Sequence, residues 1–291
     1  MASVSNEGLP DEYQWFSDQI AGHHPSVIKN GKREIGILKI PGSREILKPK
    51  QDASRGEKEV AIYKLLSSSS TSSLSTSSSE LRIGRTEDIE ALRTLTAKFY
   101  GIRKLFVDDE DREFLVLEDI TSDFKRPAIL DLKMGRVTYD PLAKPDKIEK
   151  ERIKYPPQAT MGCRILGYRI HFDDKVEVRD KDWGKSFDET TVQHGLREFF
   201  SARDGDLKEV LEKALKELEV IRKFFETQRS FQFFASSLLF AYEVDKSLPI
   251  NLRIVMIDFS HAFSSNGEPD EGYLFGIQCL QSFIESMLKS C

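Results

Sequence analysis

Apolar residues recur at three- and four-residue spacing from Leu207 to Thr227, where Val210, Leu211, Leu215, Leu218 and Phe225 fall on one side of a helix. The same period predicts a helix over Glu87 to Phe99, from Ile89, Leu92, Leu95 and Phe99, and another over Glu271 to Leu288. Arg55 to Leu66 suits a helix, and Pro145 to Lys154 a short, charged one. Strands are expected where short apolar or alternating runs lie between turn residues: Ile102 to Val107, Phe114 to Leu117, Ala128 to Met134, Cys163 to Phe172, Phe231 to Glu243 and Arg253 to Asp258. Ser26 to Lys50 reads as short strands joined by Asn30-Gly31 and Pro41-Gly42 turns, with Ile35, Ile37, Ile40 and Ile46 as candidate buried positions. The pattern predicts two α+β lobes, residues 1–120 and 121–291, with a cleft between them.

Composition refines that picture in a few places. At 291 residues, with 39% hydrophobic and 31% charged residues, the chain can build such a pair of lobes. From residue 67 to residue 79 it is almost pure serine and threonine, too poor in apolar surface to offset chain entropy, so a flexible loop interrupting the first lobe is expected. No run of about eighteen apolar residues occurs and the polar start has no signal-peptide core, which leads to the expectation of a soluble protein without a membrane span. Cys163, Cys279 and Cys291 lack metal-ligand spacing and fit a reducing compartment; cytoplasm, with the nucleus as a second location, is the expectation. A net charge of -5 argues against nucleic acid as an obligatory partner, and a monomer is expected.

The candidate chemistry begins at Pro127-Ala128-Ile129-Leu130-Asp131-Leu132-Lys133-Met134-Gly135. Side chains alternate along a strand, so Asp131 and Lys133 share a face. Burying both charges costs several kcal/mol unless something pairs them, and a phosphoryl group flanked by Mg2+ is a natural partner. Lys48 ends a short apolar strand, and Glu59 on the following helix can pair with it; taken alone, an exposed lysine explains Lys48 as well. Glu118 and Ile120 end an apolar strand at the lobe junction, where backbone groups can meet an adenine, although an ordinary strand end has the same look. Asp258 follows Ile254-Val255-Met256-Ile257 and is placed either to hold Mg2+ or simply to cap the strand. Neither a Gly-x-Gly-x-x-Gly loop nor a Walker A string is present, so Rossmann and P-loop nucleotide chemistry are not supported.

Basic residues supply a possible anion site. Lys147, Lys150 and Lys154 fall within a ~60° sector of the predicted helix at 100° per residue. A solvated face is the ordinary reading of such a stripe, but this one follows Asp131 and Lys133 closely enough to overhang the cleft. Arg55, Arg169 and His261 add further donors.

Together these segments resemble the inositol polyphosphate kinase family. Gln19-Ile20-Ala21-Gly22-His23 is similar to its Gln-x-x-Gly-His; Pro127 to Gly135 to its Pro-x-x-x-Asp-x-Lys-x-Gly; Arg55-Gly56 with Glu59 and Tyr63 to its Arg-Gly-x-x-Glu; Ser236-Ser237-Leu238-Leu239 to its Ser-Ser-Leu-Leu; and Ile257-Asp258-Phe259-Ser260-His261 to its Ile-Asp-Phe-Ala-His. The resemblance implies a two-lobed, protein-kinase-like fold with an ATP cleft and a short helical substrate-binding insert near residues 140–162. It implies ATP with Mg2+, or Mn2+, as cofactors and inositol polyphosphates as substrates. Asp131 and Lys133 would be catalytic; Lys48, Glu118, Ile120, Asp131 and Asp258 would bind ATP, Asp258 through the metal. Arg55, Lys133, Lys147, Lys150, Lys154, Arg169 and His261 would face the substrate, with Glu59, Gly135, Ser236 and Ser237 in support. Tyr139-Asp140-Pro141, the run Lys147 to Pro156 and Asp270-Glu271-Gly272-Tyr273 resemble the family's multikinase branch; the hexakisphosphate kinase and trisphosphate 3-kinase branches are the alternatives. The connection Val244 to Leu252 is short where larger multikinases carry a long basic insertion. A catalytically dead scaffold is the reading from another class, and the retained Lys48, Asp131, Lys133 and Asp258 argue against it.

Overall fold

The computed structural model describes residues 5–20, 34–68 and 84–291, and the backbone alone at 28–29 and 32–33. The first lobe contains β1 (Gln14–Trp15), β2 (Ile28–Lys29), β3 (Lys32–Arg33), β4 (Leu38–Lys39), β5 (Glu45–Pro49), α1 (Ala53–Ser67), α2 (Thr86–Thr94), β6 (Phe99–Val107) and β7 (Glu110–Glu118). Its sheet is antiparallel in the order β1-β4-β5-β7-β6, and β2 pairs with β3 apart from it. Strand alternation divides its residues. Trp15, Leu38, Leu47, Phe114 and Val116 form one apolar layer with Tyr13, while Leu115 and Leu117 join the packing of α1 and α2.

The second lobe continues with β8 (Pro127–Met134), α3 (Pro145–Lys154), α4 (Gln158–Met161), β9 (Cys163–His171), β10 (Val176–Arg179), α5 (Lys181–Lys185), α6 (Val192–Phe200), α7 (Leu207–Thr227), β11 (Phe231–Phe233), β12 (Ser237–Glu243), β13 (Leu252–Ile257), β14 (Ala262–Ser264) and α8 (Glu271–Lys289). Its five strands run β10-β9-β8-β12-β13, all antiparallel, and β11 pairs with β14. Leu130, Leu132 and Met134 of β8 pack with Leu238, Phe240, Ile254 and Met256 against the apolar stripes of α6, α7 and α8. The intervening residues turn the other way: Leu239, Ala241, Val255 and Ile257 form a small apolar patch with Ala97 and Ile120. That alternation puts Asp131 and Lys133 on the face away from the helices.

The large core cluster passes from α1 and α2 into the second lobe without a break. The Met256 N–H donates to the Leu95 carbonyl at 2.8 Å, and Arg253 pairs with Glu118 at 2.8 Å, so the lobes are tied on both sides of the β13 register. Among the described residues no helix is long and apolar enough to cross a membrane.

Several elements differ from the sequence expectation. The run Phe231 to Glu243 is two strands in different sheets, because Ala235 takes a left-handed φ of 54° and turns the chain between them. Asp258 lies beyond β13 with φ 66°, outside the strand expected to contain it. The helix expected to run to Phe99 stops at Thr94, and Phe99 opens β6. Between β9 and α7 stand β10, α5 and α6, for which the periodicity gave no signal. The expected Asn30-Gly31 turn, Gly22, His23 and the serine run from residue 69 onward lie outside the described residues.

Candidate functional site

Lys48, near the end of β5, reaches into the cleft between the lobes. Its Nζ donates to Glu59 Oε1 at 2.6 Å and to Asp258 Oδ1 at 2.5 Å. Glu59 is fully buried on α1 and also accepts the Phe259 N–H and the Ser260 hydroxyl, each at 3.3 Å, so one carboxylate fixes both the lysine and the turn after β13. Desolvation works against a charged Lys48, but Asp258 and Glu59 outweigh it and hold the ammonium well above the ordinary lysine range. Burial likewise raises the Asp258 carboxyl, yet Lys48 and then Lys133 bring it below its usual value.

Asp131 has no such ammonium on it. It is 5% exposed, and its Oδ1 has no hydrogen-bond partner among the described residues. Desolvation, followed by the like charge of Asp258, pushes its carboxyl up to about 7. Two residues on, Lys133 Nζ donates to the Ala235 carbonyl at 3.2 Å. Burial lowers its pKa; Asp258 and Asp131 work against that, while Arg164 and Lys154 add to it. Gly135 ends β8 at φ 94°, a conformation that side-chain-bearing residues rarely adopt, and its N–H and C=O are held by Gly162 O and Gln158 Nε2. Ser236 and Ser237 are buried directly after the turn that receives Lys133, with Ser237 close enough to Asp131 to oppose the rise of its pKa.

A cavity of about 170 Å3 opens above this cluster, lined by Lys48, Glu118, Ile120, Asp131 and Asp258 among others. The Glu118 carboxylate is committed to Arg253 and to the Lys98 N–H, and its N–H donates to the Lys98 carbonyl at 2.9 Å, which leaves the Glu118 carbonyl as the group to offer a ligand. The Ile120 N–H has no hydrogen-bond partner among the described residues. An unmet amide beside the apolar patch of Ala97, Leu239 and Val255 suits a flat heteroaromatic ring with an acceptor on its edge. No group of three metal-ligating side chains occurs among the described residues. Asp258 and the unpartnered Asp131 oxygen nevertheless fit a hard cation that takes its remaining ligands from phosphates and water.

A second, basic pocket of about 400 Å3 is lined by Ser260 and His261, just beyond Asp258 in the chain, and brings Arg55, Lys58, Lys144, Lys147 and His261 together around one acid, Asp140. His261 Nδ1 lies 2.6 Å from Asp140 Oδ2, and Lys147 Nζ lies 3.7 Å from the same oxygen. Burial lowers the His261 pKa, Lys147 and Arg55 lower it further, and Asp140 opposes them. Helix α3 has no buried residue, so its lysines are set by what stands at each end. Lys154 pairs with Glu151 at 3.1 Å and is felt by Lys133. Lys150 is exposed and pairs with no acid among the described residues, so the stripe is not one uniform surface. Arg169 stands apart from the basic pocket. It lies opposite Ile129 on β9, and the charge it feels is Asp18.

Sequence reasoning missed four contributors: Asp140 as organiser of the basic pocket, the Ala235 carbonyl, Arg164 opposite Lys133 in the β8–β9 register, and Asp18 with its neighbours on the cavity wall. Gln19-Ile20 beside Asp18 and the Tyr139-Asp140-Pro141 run carried a motif likeness but no sign of these contacts, and Arg164 is a buried charge on β9.

The profile of the family described as inositol polyphosphate kinase matches residues 114–285, more than half of the chain. The chain belongs to that family. It is 30% identical to human inositol polyphosphate multikinase over 87% of this chain and 56% of the human protein. It is 26% identical to inositol polyphosphate multikinase alpha of Arabidopsis thaliana over 94% of this chain and 95% of that protein. The chain thus spans about half to two thirds of the length of the mammalian relatives it matches. Among solved structures, the inositol phosphate multikinase Ipk2 of S. cerevisiae, in complex with ADP and Mn2+, aligns with a TM-score of 0.67 at 20% identity, covering 84% of this chain and all of that one. The shared architecture is that family's two-lobed α+β kinase fold.

Proposed function

We propose that this chain is an ATP-dependent inositol polyphosphate kinase of the multikinase type, phosphorylating ring hydroxyls of inositol tris- and tetrakisphosphates. The observation that carries the reading is the meeting of two unlike sites at Asp258 and His261. On one side is a cavity with a backbone donor that has no partner among the described residues, a lysine and two carboxylates; on the other is a pocket of five basic side chains around a single acid. The first suits a nucleotide triphosphate, the second an acceptor with several phosphates, each bringing its own charge.

In this reading the Ile120 N–H and the Glu118 carbonyl orient the adenine, and Lys48, fixed by Glu59, holds the phosphates. Asp258 and Asp131 would hold Mg2+ or Mn2+, which when bound supplies neutralisation of the phosphate charge. Lys133, anchored on the Ala235 carbonyl, reaches the space between donor and acceptor, where charge moves in a loose transition state. Asp131 in its carboxylate form orients the acceptor hydroxyl and takes its proton late, so alignment counts for more than basicity. Arg55, Lys147, Lys154 and His261 seat the acceptor phosphates. His261 acts as a hydrogen-bonding group, since burial and Lys147 disfavour its cationic form.

The test is the product profile from ATP with inositol tris-, tetrakis-, pentakis- and hexakisphosphate. Phosphorylation of the tris- and tetrakisphosphates is the expected result. Turnover of the hexakisphosphate alone would assign the chain to the pyrophosphate-forming branch, and turnover of none would leave a binding protein.

A further inference from the structure

We propose that Asp18 is a positioning residue for nucleotide: by pairing with His171 it latches residues 16–20 onto the second lobe beside the cavity and sets how long the nucleotide stays. The proposal rests on the nucleotide reading of that cavity. Residues 16–20 are bound to both lobes. On the first, the Phe16 N–H donates to the Ile37 carbonyl at 2.7 Å, and Gln19 Oε1 accepts the Ile37 N–H at 2.9 Å. On the second, Asp18 Oδ1 lies 2.8 Å from His171 Nε2 on β9. Ile20 packs over Gly167, where an added Cβ would come within 3.1 Å of Ile20 Cγ2 and 2.4 Å of the Arg179 carbonyl. Gly167 lies opposite Asp131 in the β8–β9 register, so the latch ends beside the reacting strand.

The chemistry of the contact fits a latch better than a surface ion pair. Asp18 is 14% exposed and His171 25% exposed, so water screens them incompletely. Burial raises the Asp18 carboxyl, but His171 and then Arg169 more than reverse this and hold it below its ordinary value. Burial disfavours the charge of Arg169, on the same strand as His171, and Asp18 opposes that effect. Phe16, Asp18, Gln19 and Ile20 all line the cavity that holds Lys48 and Asp131. The same cavity is lined by Glu118 and Ile120, so the latched segment and the interlobe backbone share one site.

The test uses the full chain, with Mg2+-ADP as the probe and dissociation followed by stopped-flow fluorescence. Asp18→Asn is expected to speed ADP dissociation and raise KM for ATP by about fivefold to tenfold, with kcat changed less than about twofold. His171→Ala should do the same more weakly, and the double variant should match Asp18→Asn, because both remove one latch. Dissociation unchanged in both variants, effects that multiply in the double variant, or a joint loss of kcat and thermal stability without faster dissociation would each overturn the latch. Should Asp18→Asn fail to fold, His171→Ala, at a partly exposed position, carries the same comparison. A wild-type chain that binds no ADP would instead remove the nucleotide reading and the latch with it.

Discussion

Asp131 and Asp258 face the same small volume, and only Asp258 has an ammonium on it: Lys48 stands 2.5 Å from Asp258, while Asp131 Oδ1 has no partner among the described residues. One carboxyl is held below its ordinary range and the other is pushed up to about 7. Two carboxylates with opposed shifts divide the labour of a phosphoryl-transfer site.

The raised Asp131 carboxyl makes stability depend on pH in a definite direction. Its folded pKa lies above the ordinary 3.8, so between those values the folded protein keeps a proton that the unfolded chain has released. Asp131 therefore costs no stability below the unfolded value, and the ligand-free protein should lose stability as pH rises from there through about 7. Asp131→Asn, which cannot ionise, should melt higher than wild type at about pH 8, by a difference on the order of a few kcal/mol that shrinks toward about pH 5. Thermal melts of both proteins across that range check this. The same ionisation should give kcat/KM of the wild type an acid limb near neutrality.

Lys48 and Glu59 predict a different failure. Removing the lysine leaves a fully buried carboxylate with only the Phe259 and Ser260 donors. Lys48→Met should lower stability by about 3 to 5 kcal/mol in denaturant unfolding as well as weaken ATP binding. Adding Glu59→Gln should recover part of the stability and none of the binding, which separates the structural from the nucleotide role.

Lys133→Ala should strike turnover rather than nucleotide affinity. The ammonium touches the Ala235 carbonyl and no carboxylate, so its loss leaves no buried acid stranded by a broken ion pair. Turnover should fall by more than about tenfold, equivalent to over about 1.4 kcal/mol, with the Kd for ATP changed little; single-turnover kinetics beside calorimetry would distinguish the two.

What was legible in the sequence follows the range of the forces involved. Helix α7 begins and ends where its periodicity places it, α3 spans the charged stretch expected to be helical, and β8 was readable because apolar neighbours frame Asp131 and Lys133 within eight residues. Residues 173–206 were not legible. Helix α5 is five residues long and rests on the Asp180 cap, and in α6 Gly195 owes its place to close packing against the Phe187 ring. The break at Ala235 was hidden inside a continuous run of strand-forming residues. At the site, the motif residues announced themselves, but their organisers did not. Asp140 reaches His261 across 121 positions and Asp18 reaches His171 across 153, and no local pattern encodes such pairs. Arg169 shows the converse. Its type suggested an anion site, but its place on β9 puts it within the electrostatic influence of Asp18 and outside the basic pocket.

The lysines of α3 should therefore be unequal, and measuring them one at a time tests the acceptor pocket. Lys147 shares Asp140 with His261 inside the basic pocket, and Lys154 stands close enough to Lys133 to lower its pKa. Neither Lys150 nor Lys154 lines either pocket, but Lys150 is exposed and, among the described residues, has neither a paired acid nor an influence on Lys133. Lys147→Ala and Lys154→Ala should each raise KM for the inositol phosphate while leaving KM for ATP nearly unchanged. The loss for a desolvated phosphate contact is about 1.5 to 3 kcal/mol, against under about 1 kcal/mol for an exposed charge, the range expected for Lys150→Ala. The loss at Lys147 should lessen in an Asp140→Asn background, because removing Lys147 alone leaves the Asp140 carboxylate less compensated and repelling the acceptor phosphates. Equal, small effects at all three lysines would mean that α3 is a solvated face, and recognition of the acceptor would then rest on Arg55, Lys58 and His261.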